Sequence, residues 1–253
     1  MGKNKPSAIR GLSYLVKRGI EVVLVVAPPR TEPGLGGENL CETARSFGIP
    51  SAADDELYQN IDRLKHIDLV ISFLFWKKIK KPLIDAPKIG CINFHPAPLP
   101  DFRGVGGYNA AIYENLPSWG VSAHFVNESF DTGDIIKVKR FTINPRQETA
   151  FSLEQKSQRF LINLFKEVIN MICDAKPLPR TSQGKGRYIR KQDFERMRNI
   201  NPKDSLEDIE RKIRAFWYPP YIGASVEIKG ETFTLINEKL LKEIGRLYQR
   251  KHI

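Results

Sequence analysis

Three short, largely apolar runs at residues 20–27, 68–73 and 90–94 constrain this chain more than any other feature. The first is rich in valine and ended by Pro28-Pro29, the pattern of a strand buried on both faces, and the other two read as further buried strands. Between them lie segments with helical spacing: Ile9, Leu12, Leu15 and Val16 in one, and a stretch over 39–47 that stops near Gly48-Ile49-Pro50 in the next. Strands alternating with helices imply an α/β fold with a mostly parallel, doubly wound (Rossmann-like) sheet. Downstream, 108–114 reads as a helix, 120–126 and 134–143 as strands, and 149–175 as a long amphipathic helix.

The tail has a different character. Residues 176–187 are basic and contain Pro177, Pro179, Gly184 and Gly186, so they read as linker. Ser205, with Asp208 in the first turn, opens a helix to about residue 216. Residues 224–228 and 232–236 flank Lys229-Gly230-Glu231, a hairpin signal, and a last charged helix is expected over 238–250. The expected organisation is therefore a main domain over 1–175, a linker over 176–204, and a small C-terminal helix plus β-hairpin appendage over 205–253.

Composition narrows the functional classes. Hydrophobic residues make up 41 % of the 253, enough for a sizeable core. No run approaches the ~20 apolar residues that span a bilayer, and the lysines of residues 1–6 are not followed by an apolar signal core. Cys41, Cys91 and Cys173 are far apart, with no metal-ligand spacing, and read as buried reduced thiols in a cytoplasmic protein. The net charge of +11 suits nucleic acid or an anionic small substrate. The basic residues are scattered, densest at 77–81 and 180–198.

The chemistry is concentrated in Ile92-Asn93-Phe94-His95-Pro96-Ala97-Pro98-Leu99-Pro100-Asp101-Phe102-Arg103-Gly104. Strand alternation puts Asn93 and His95 on one face. At the carboxyl end of a parallel strand that face opens on the ligand crevice. Farther on, Asp131 lies in the turn Phe130-Asp131-Thr132-Gly133-Asp134. An amide, an imidazole and a carboxylate are the set that acyl transfer to an amine needs: a donor for the oxyanion, a group that moves protons near neutral pH, and a carboxylate that orients it. On spacing alone, Asn-x-His is also an ordinary strand end and Asp-Thr-Gly an ordinary turn.

Together these segments, with Gly120-Val121-Ser122-Ala123-His124, resemble the 10-formyltetrahydrofolate-dependent formyltransferase family over roughly residues 6–143. The resemblance implies that Asn93, His95 and Asp131 are the catalytic triad of a one-carbon transferase, with 10-formyltetrahydrofolate as co-substrate and no metal. It leaves His124 to line the pocket wall. It implies that the pterin is held near Ser72-Phe73-Leu74-Phe75-Trp76-Lys77 and the 127–131 loop. Phe75, Trp76, Lys77, Asn127, Glu128 and Phe130 are the candidate contacts, although Phe73 and Phe75 also suit core packing.

Three branches of the family differ in the amine: methionyl-tRNA, a glycinamide ribonucleotide, and nucleotide-linked amino sugars. Residues 28–37 contain Arg30 as their one basic residue, and the tail is short for a tRNA-binding barrel. Phe102-Arg103-Gly104-Val105-Gly106-Gly107-Tyr108-Asn109, residues 186–194 and Phe216-Trp217-Tyr218-Pro219-Pro220-Tyr221 resemble sugar N-formyltransferases, which implies a role in surface-polysaccharide synthesis. Arg103, Gly107, Tyr108, Asn109, Tyr188, Arg190, Trp217 and Tyr218 become candidate contacts for a nucleotide-sugar. Trp217, Tyr218 and Tyr221 equally suit a core plug. The expectations include no nucleic acid or membrane partner and a homodimer through the C-terminal region. A methionyl-tRNA enzyme or a weakly active family member are the alternatives. Finally, residues 2–7 resemble the loop that follows the family's first strand. A strand upstream of Met1 is expected, or another segment in its place.

Overall fold

The computed structural model describes residues 1–28, 39–53, 57–58, 64 and 66–249, with the side chains of 246–249 excluded. Most of the 28–37 loop and the last residues of the expected final helix lie outside the described residues. In chain order the elements are α1 (Pro6–Lys17), β1 (Val25–Val26), α2 (Leu40–Ser46), β2 (Ser51–Ala52), β3 (Leu69–Phe73), α3 (Lys81–Asp85), β4 (Gly90–His95), β5 (Arg103–Gly104), α4 (Gly107–Tyr113), β6 (Ser118–Phe125), β7 (Ile135–Thr142), α5 (Ala150–Cys173), β8 (Tyr188–Ile189), α6 (Lys191–Arg198), α7 (Leu206–Phe216), β9 (Ser225–Ile228), β10 (Glu231–Thr234) and α8 (Glu238–Gln249). They fall into two compact units. The first is Met1–Arg103, Gly120–Arg140 and Ser157–Tyr188; the second is Gly104–Trp119, Phe141–Lys156 and Ile189–Ile253.

The first unit is built on a four-stranded sheet in the order β3-β4-β6-β7. β3 runs parallel to β4, and β4 antiparallel to β6; with the parallel Gly2–Phe73 bridge the sheet is parallel on one side and antiparallel on the other. β1 and β2 form a separate parallel pair. Met1–Lys3 takes the position where the sequence reading placed a strand. Gly2 N donates to Val26 O at 2.9 Å, Phe73 N to Met1 O at 2.8 Å, and Lys3 N to Phe73 O at 3.3 Å. A Cβ on Gly2 would lie 3.1 Å from the Phe73 carbonyl, so the residue is small where the backbones meet. The expected strand over 20–27 forms a ladder at Val25–Val26, because its first half turns outward and leaves Val23 48 % exposed.

One face of the sheet is closed by aromatic packing. Phe73 stacks on Phe94 with centroids 5.7 Å apart, and the Phe165 edge meets them at 5.6 and 5.0 Å. Phe73 is thus core. Of the three cysteines only Cys91 is buried, and burial pushes its thiol up to about 12. Cys173, at the end of α5, is exposed and Cys41 is half-buried, which corrects the reading of three buried thiols.

In the second unit, α7 starts as expected at Ser205, whose Oγ accepts from Asp208 N at 3.1 Å. β9 and β10 form the antiparallel hairpin around Lys229-Gly230. Trp119 is fully buried. Among the described residues, no helix is long and apolar enough to cross a membrane.

Candidate active site

The site grows from the carboxyl ends of β3 and β4 and the facing end of β6. Register sets its members side by side: Ser72 pairs with Asn93, Asn93 with His124, and His95 with Ser122. Directly opposed residues on adjacent strands bring their side chains within contact. Ser72 Oγ donates to Asn93 Oδ1 at 2.7 Å, and Asn93 Nδ2 lies 3.0 Å from His124 Nε2. The second row holds the proline-rich loop: Leu99 N donates to Ser122 Oγ at 2.9 Å, and Ser122 Oγ to Ala97 O at 2.7 Å.

Asp131 arrives from the turn between β6 and β7. Its φ of 55° is left-handed, a conformation that costs energy for a residue with a Cβ and that surrounding contacts must hold. The bracing is visible. Thr132 Oγ1 donates to Asn127 Oδ1 at 2.7 Å, and Gln183 Nε2 to Gly133 O at 2.6 Å. Glycine is obligatory at 133, where a Cβ would fall 1.9 Å from the Phe125 carbonyl. The turn carries Asp131 Oδ1 to 3.5 Å from His95 Nδ1 and 3.8 Å from His124 Nε2. His95 Nε2 lies 3.0 Å from the Phe102 carbonyl, so each ring nitrogen of His95 faces an oxygen. His95 therefore faces Asp131 directly, and Asn93 is joined to them through His124. His124 belongs to the same cluster rather than only to the wall. It is buried, and desolvation first, then neighbouring His95, lowers its pKa to about 4.

A small, half-open cleft lies beside Asn93, His124 and Asp131. Of the candidate folate contacts, Phe75, Lys77, Asn127 and Phe130 line it, together with Ile79 and Val126. Trp76 and Glu128 do not line this cleft: Trp76 tilts against Phe75 at 4.8 Å, and Glu128 pairs with Lys81 at 3.4 Å on the surface. Asn127 uses its carboxamide to brace the turn, accepting from Ser129 N at 3.0 Å as well as from Thr132.

The candidate substrate contacts divide. In the first unit Arg103 turns to Gln183 Oε1 (3.0 Å) and Gly184 O (3.1 Å), and Tyr188 is 50 % exposed. In the second unit Gly107 opens α4 and Asn109 Nδ2 donates to Ala215 O at 2.8 Å. Arg190 caps α6, its backbone N donating to Asp193 Oδ2 at 3.3 Å. Tyr108 tilts on Trp119 at 6.0 Å, and Trp217 is buried and accepts at its carbonyl from Phe151 N. Tyr218 meets Phe151 edge-on at 5.8 Å, and burial, then nearby Glu154, pushes its phenol up. Gln183 was missed by the sequence reading, since a lone Gln in a linker carries no signal.

An amide, an imidazole and a carboxylate converging at the strand ends of a parallel-rich sheet define a group-transfer enzyme of the α/β class. Residues 10–169 match the family described as Formyl transferase, and the chain belongs to that family. It is 29 % identical over 234 residues to a methionyl-tRNA formyltransferase of Halothermothrix orenii, covering 88 % of this chain and 73 % of that protein. It is 28 % identical over 241 residues to a GDP-perosamine N-formyltransferase of Brucella melitensis, covering 93 % and 90 %. Among solved structures it resembles the N-formyltransferase from Helicobacter canadensis in complex with folinic acid and dTDP-3-aminofucose. The TM-score is 0.73, with 25 % identity over 90 % of this chain and 83 % of that one.

Proposed function

We propose that this formyltransferase moves the formyl group of 10-formyltetrahydrofolate to the amine of a nucleotide-linked amino-dideoxy sugar in the cytoplasm. The observation that supports the chemistry is the approach of His95 Nδ1 to Asp131 Oδ1 at 3.5 Å, with Asp131 and Asn93 both lining the cleft. The amine lone pair attacks the formyl carbon, and the carbonyl electrons move onto oxygen. Asn93 Nδ2 donates to the oxyanion, the kind of contact that stabilises acyl-transfer transition states. His95 takes the proton released by the attacking nitrogen and returns it to N10 as the C–N10 bond breaks, leaving tetrahydrofolate and an amide. Asp131 orients the imidazole and offsets its positive charge. Phe75 and Phe130 offer apolar cover for a pterin, and Lys77 offers charge to the anionic part of the folate.

The sugar substrate is supported by near-complete mutual coverage with the GDP-perosamine enzyme and by the amino sugar named in the Helicobacter complex. Methionyl-tRNA formyl transfer is the second reading, favoured by the relative from Halothermothrix orenii. The test is a panel of dTDP- and GDP-linked amino sugars, with methionyl-tRNA in parallel, each incubated with 10-formyltetrahydrofolate. Mass spectrometry should find a formyl adduct on an amino sugar. Efficient formylation of methionyl-tRNA with no sugar adduct would overturn the substrate assignment.

A further inference from the structure

Ser72, Asn93 and His124 form one row across β3, β4 and β6, and the row decides which end of a carboxamide faces the reaction. His124 Nδ1 lies 2.7 Å from the Phe125 carbonyl oxygen. A carbonyl only accepts, so Nδ1 carries a hydrogen. The ring is buried, with His95, Asp131 and Arg103 as its charged or titratable surroundings, and it is neutral at pH 7. Nε2 therefore holds a lone pair. It sits 3.0 Å from Asn93 Nδ2 and 3.8 Å from Asp131 Oδ1, and only the first is a hydrogen-bond distance. Asn93 must turn its NH₂ end to His124. The other partner does not impose this choice: the Ser72 hydroxyl donates to Asn93 Oδ1 here, but a rotated hydroxyl accepts equally well from an amide.

We infer that His124 is the positioning residue that fixes the Asn93 carboxamide, its Nδ1 anchored on the Phe125 carbonyl and its Nε2 accepting one Asn93 N–H, so that the second N–H of Nδ2 is held for the formyl oxyanion. A flipped carboxamide would set Oδ1 against the Nε2 lone pair and withdraw that N–H. Removing the acceptor at Nε2 frees Asn93 to adopt both orientations. This rests on the role proposed for Asn93 in formyl transfer.

Two measurements test it on the full chain. In long-range ¹⁵N–¹H correlation spectra at pH 7, with the His124 signals assigned by their loss in His124→Gln, Nδ1 should be protonated and Nε2 not. A protonated Nε2 overturns the inference whether or not the substrate is correct. Kinetically, with 10-formyltetrahydrofolate and dTDP-3-aminofucose, His124→Asn keeps a donor for the Phe125 carbonyl and loses the acceptor. Its kcat should fall roughly 10- to 100-fold, short of the ~10²–10³ for deleting an oxyanion donor, with KM for the folate unchanged. His124→Gln, whose side-chain oxygen can take the place of Nε2, should stay within a few-fold of wild type. In an Asn93→Ala background His124→Asn should cost nothing more. Equal losses in the Gln and Asn variants, or fully additive losses in the double variant, would show a merely structural histidine. If the wild type formylates no amino sugar, the proposed substrate fails and the tautomer measurement still decides the role of His124.

Discussion

The polar end of the first unit and the aromatic interior of the second use side chains in opposite ways. Around Asn93, hydrogen bonds link Ser72, His124 and the Phe125 carbonyl into one row beside an open cleft. In the second unit, Tyr108 tilts on a wholly enclosed Trp119, Phe151 meets Tyr218 edge-on, and Trp217 is buried. A buried polar group is tolerated when its partners are supplied, and such groups gather where orientation matters. A buried aromatic brings mainly apolar area and stability. Altering the first region should therefore change turnover with modest loss of stability, and altering the second should do the reverse.

The largest expected effect tests the second region. Trp119→Ala should lower stability by about 3–5 kcal/mol, as large buried truncations do, read from the urea midpoint. A normal midpoint with lost activity would break the contrast by making Trp119 a substrate contact. The next effect is pH-dependent. His124 has its folded pKa depressed from 6.5 to about 4 by burial and the nearby His95. The folded state then binds fewer protons than the unfolded one, so this contribution is complete above about 6.5 and is lost as pH falls through 4. The full loss is roughly 3 kcal/mol, from 1.36 kcal/mol per unit. A flatter acid limb of the melting curve in His124→Gln is the expected signature; an unchanged limb would remove His124 from the acid response.

Smaller effects sharpen the contrast within the first unit. Gly133→Ala drives a Cβ against the Phe125 carbonyl and should cost roughly 2 kcal/mol of stability. It should also depress kcat by displacing Asp131; full activity would show that the turn does not position the carboxylate. At the small end, Arg140 bonds Asp101 at 2.6 Å, but both side chains are about half exposed. Arg140→Ala should cost under about 1 kcal/mol, and a larger shift in the melting point would mean the pair does more than decorate the surface.

How much of this was legible follows from the kind of signal each part leaves. The helices α1, α2, α4, α5 and α7 left a period, a stop or a cap in the sequence, as in Ser205, whose side chain accepts from Asp208 N. Short elements did not. The five residues of α3 and the two of β2 are below the length at which a period can be counted, and α6 hid in a basic stretch with few apolar positions. In the site, Asn93 and His95 could be read because alternation along one strand places them together. His124 could not, because its partnership with Asn93 depends on the register between β4 and β6, a relation across 31 residues. Aromatic residues misled in the other direction. Trp217 and Tyr218 suit a nucleotide and a core equally by type, and only burial separates the two readings.

The central claim is that the convergent amide, imidazole and carboxylate perform the transfer. The direct test is single-turnover formyl transfer by His95→Asn and Asp131→Ala, with the nucleotide-linked amino sugar that the wild type formylates and with melting points measured alongside. The expected result is at least a ~100-fold slower transfer in each variant with a melting point within a few degrees of wild type. Near-normal transfer in either folded variant would contradict it.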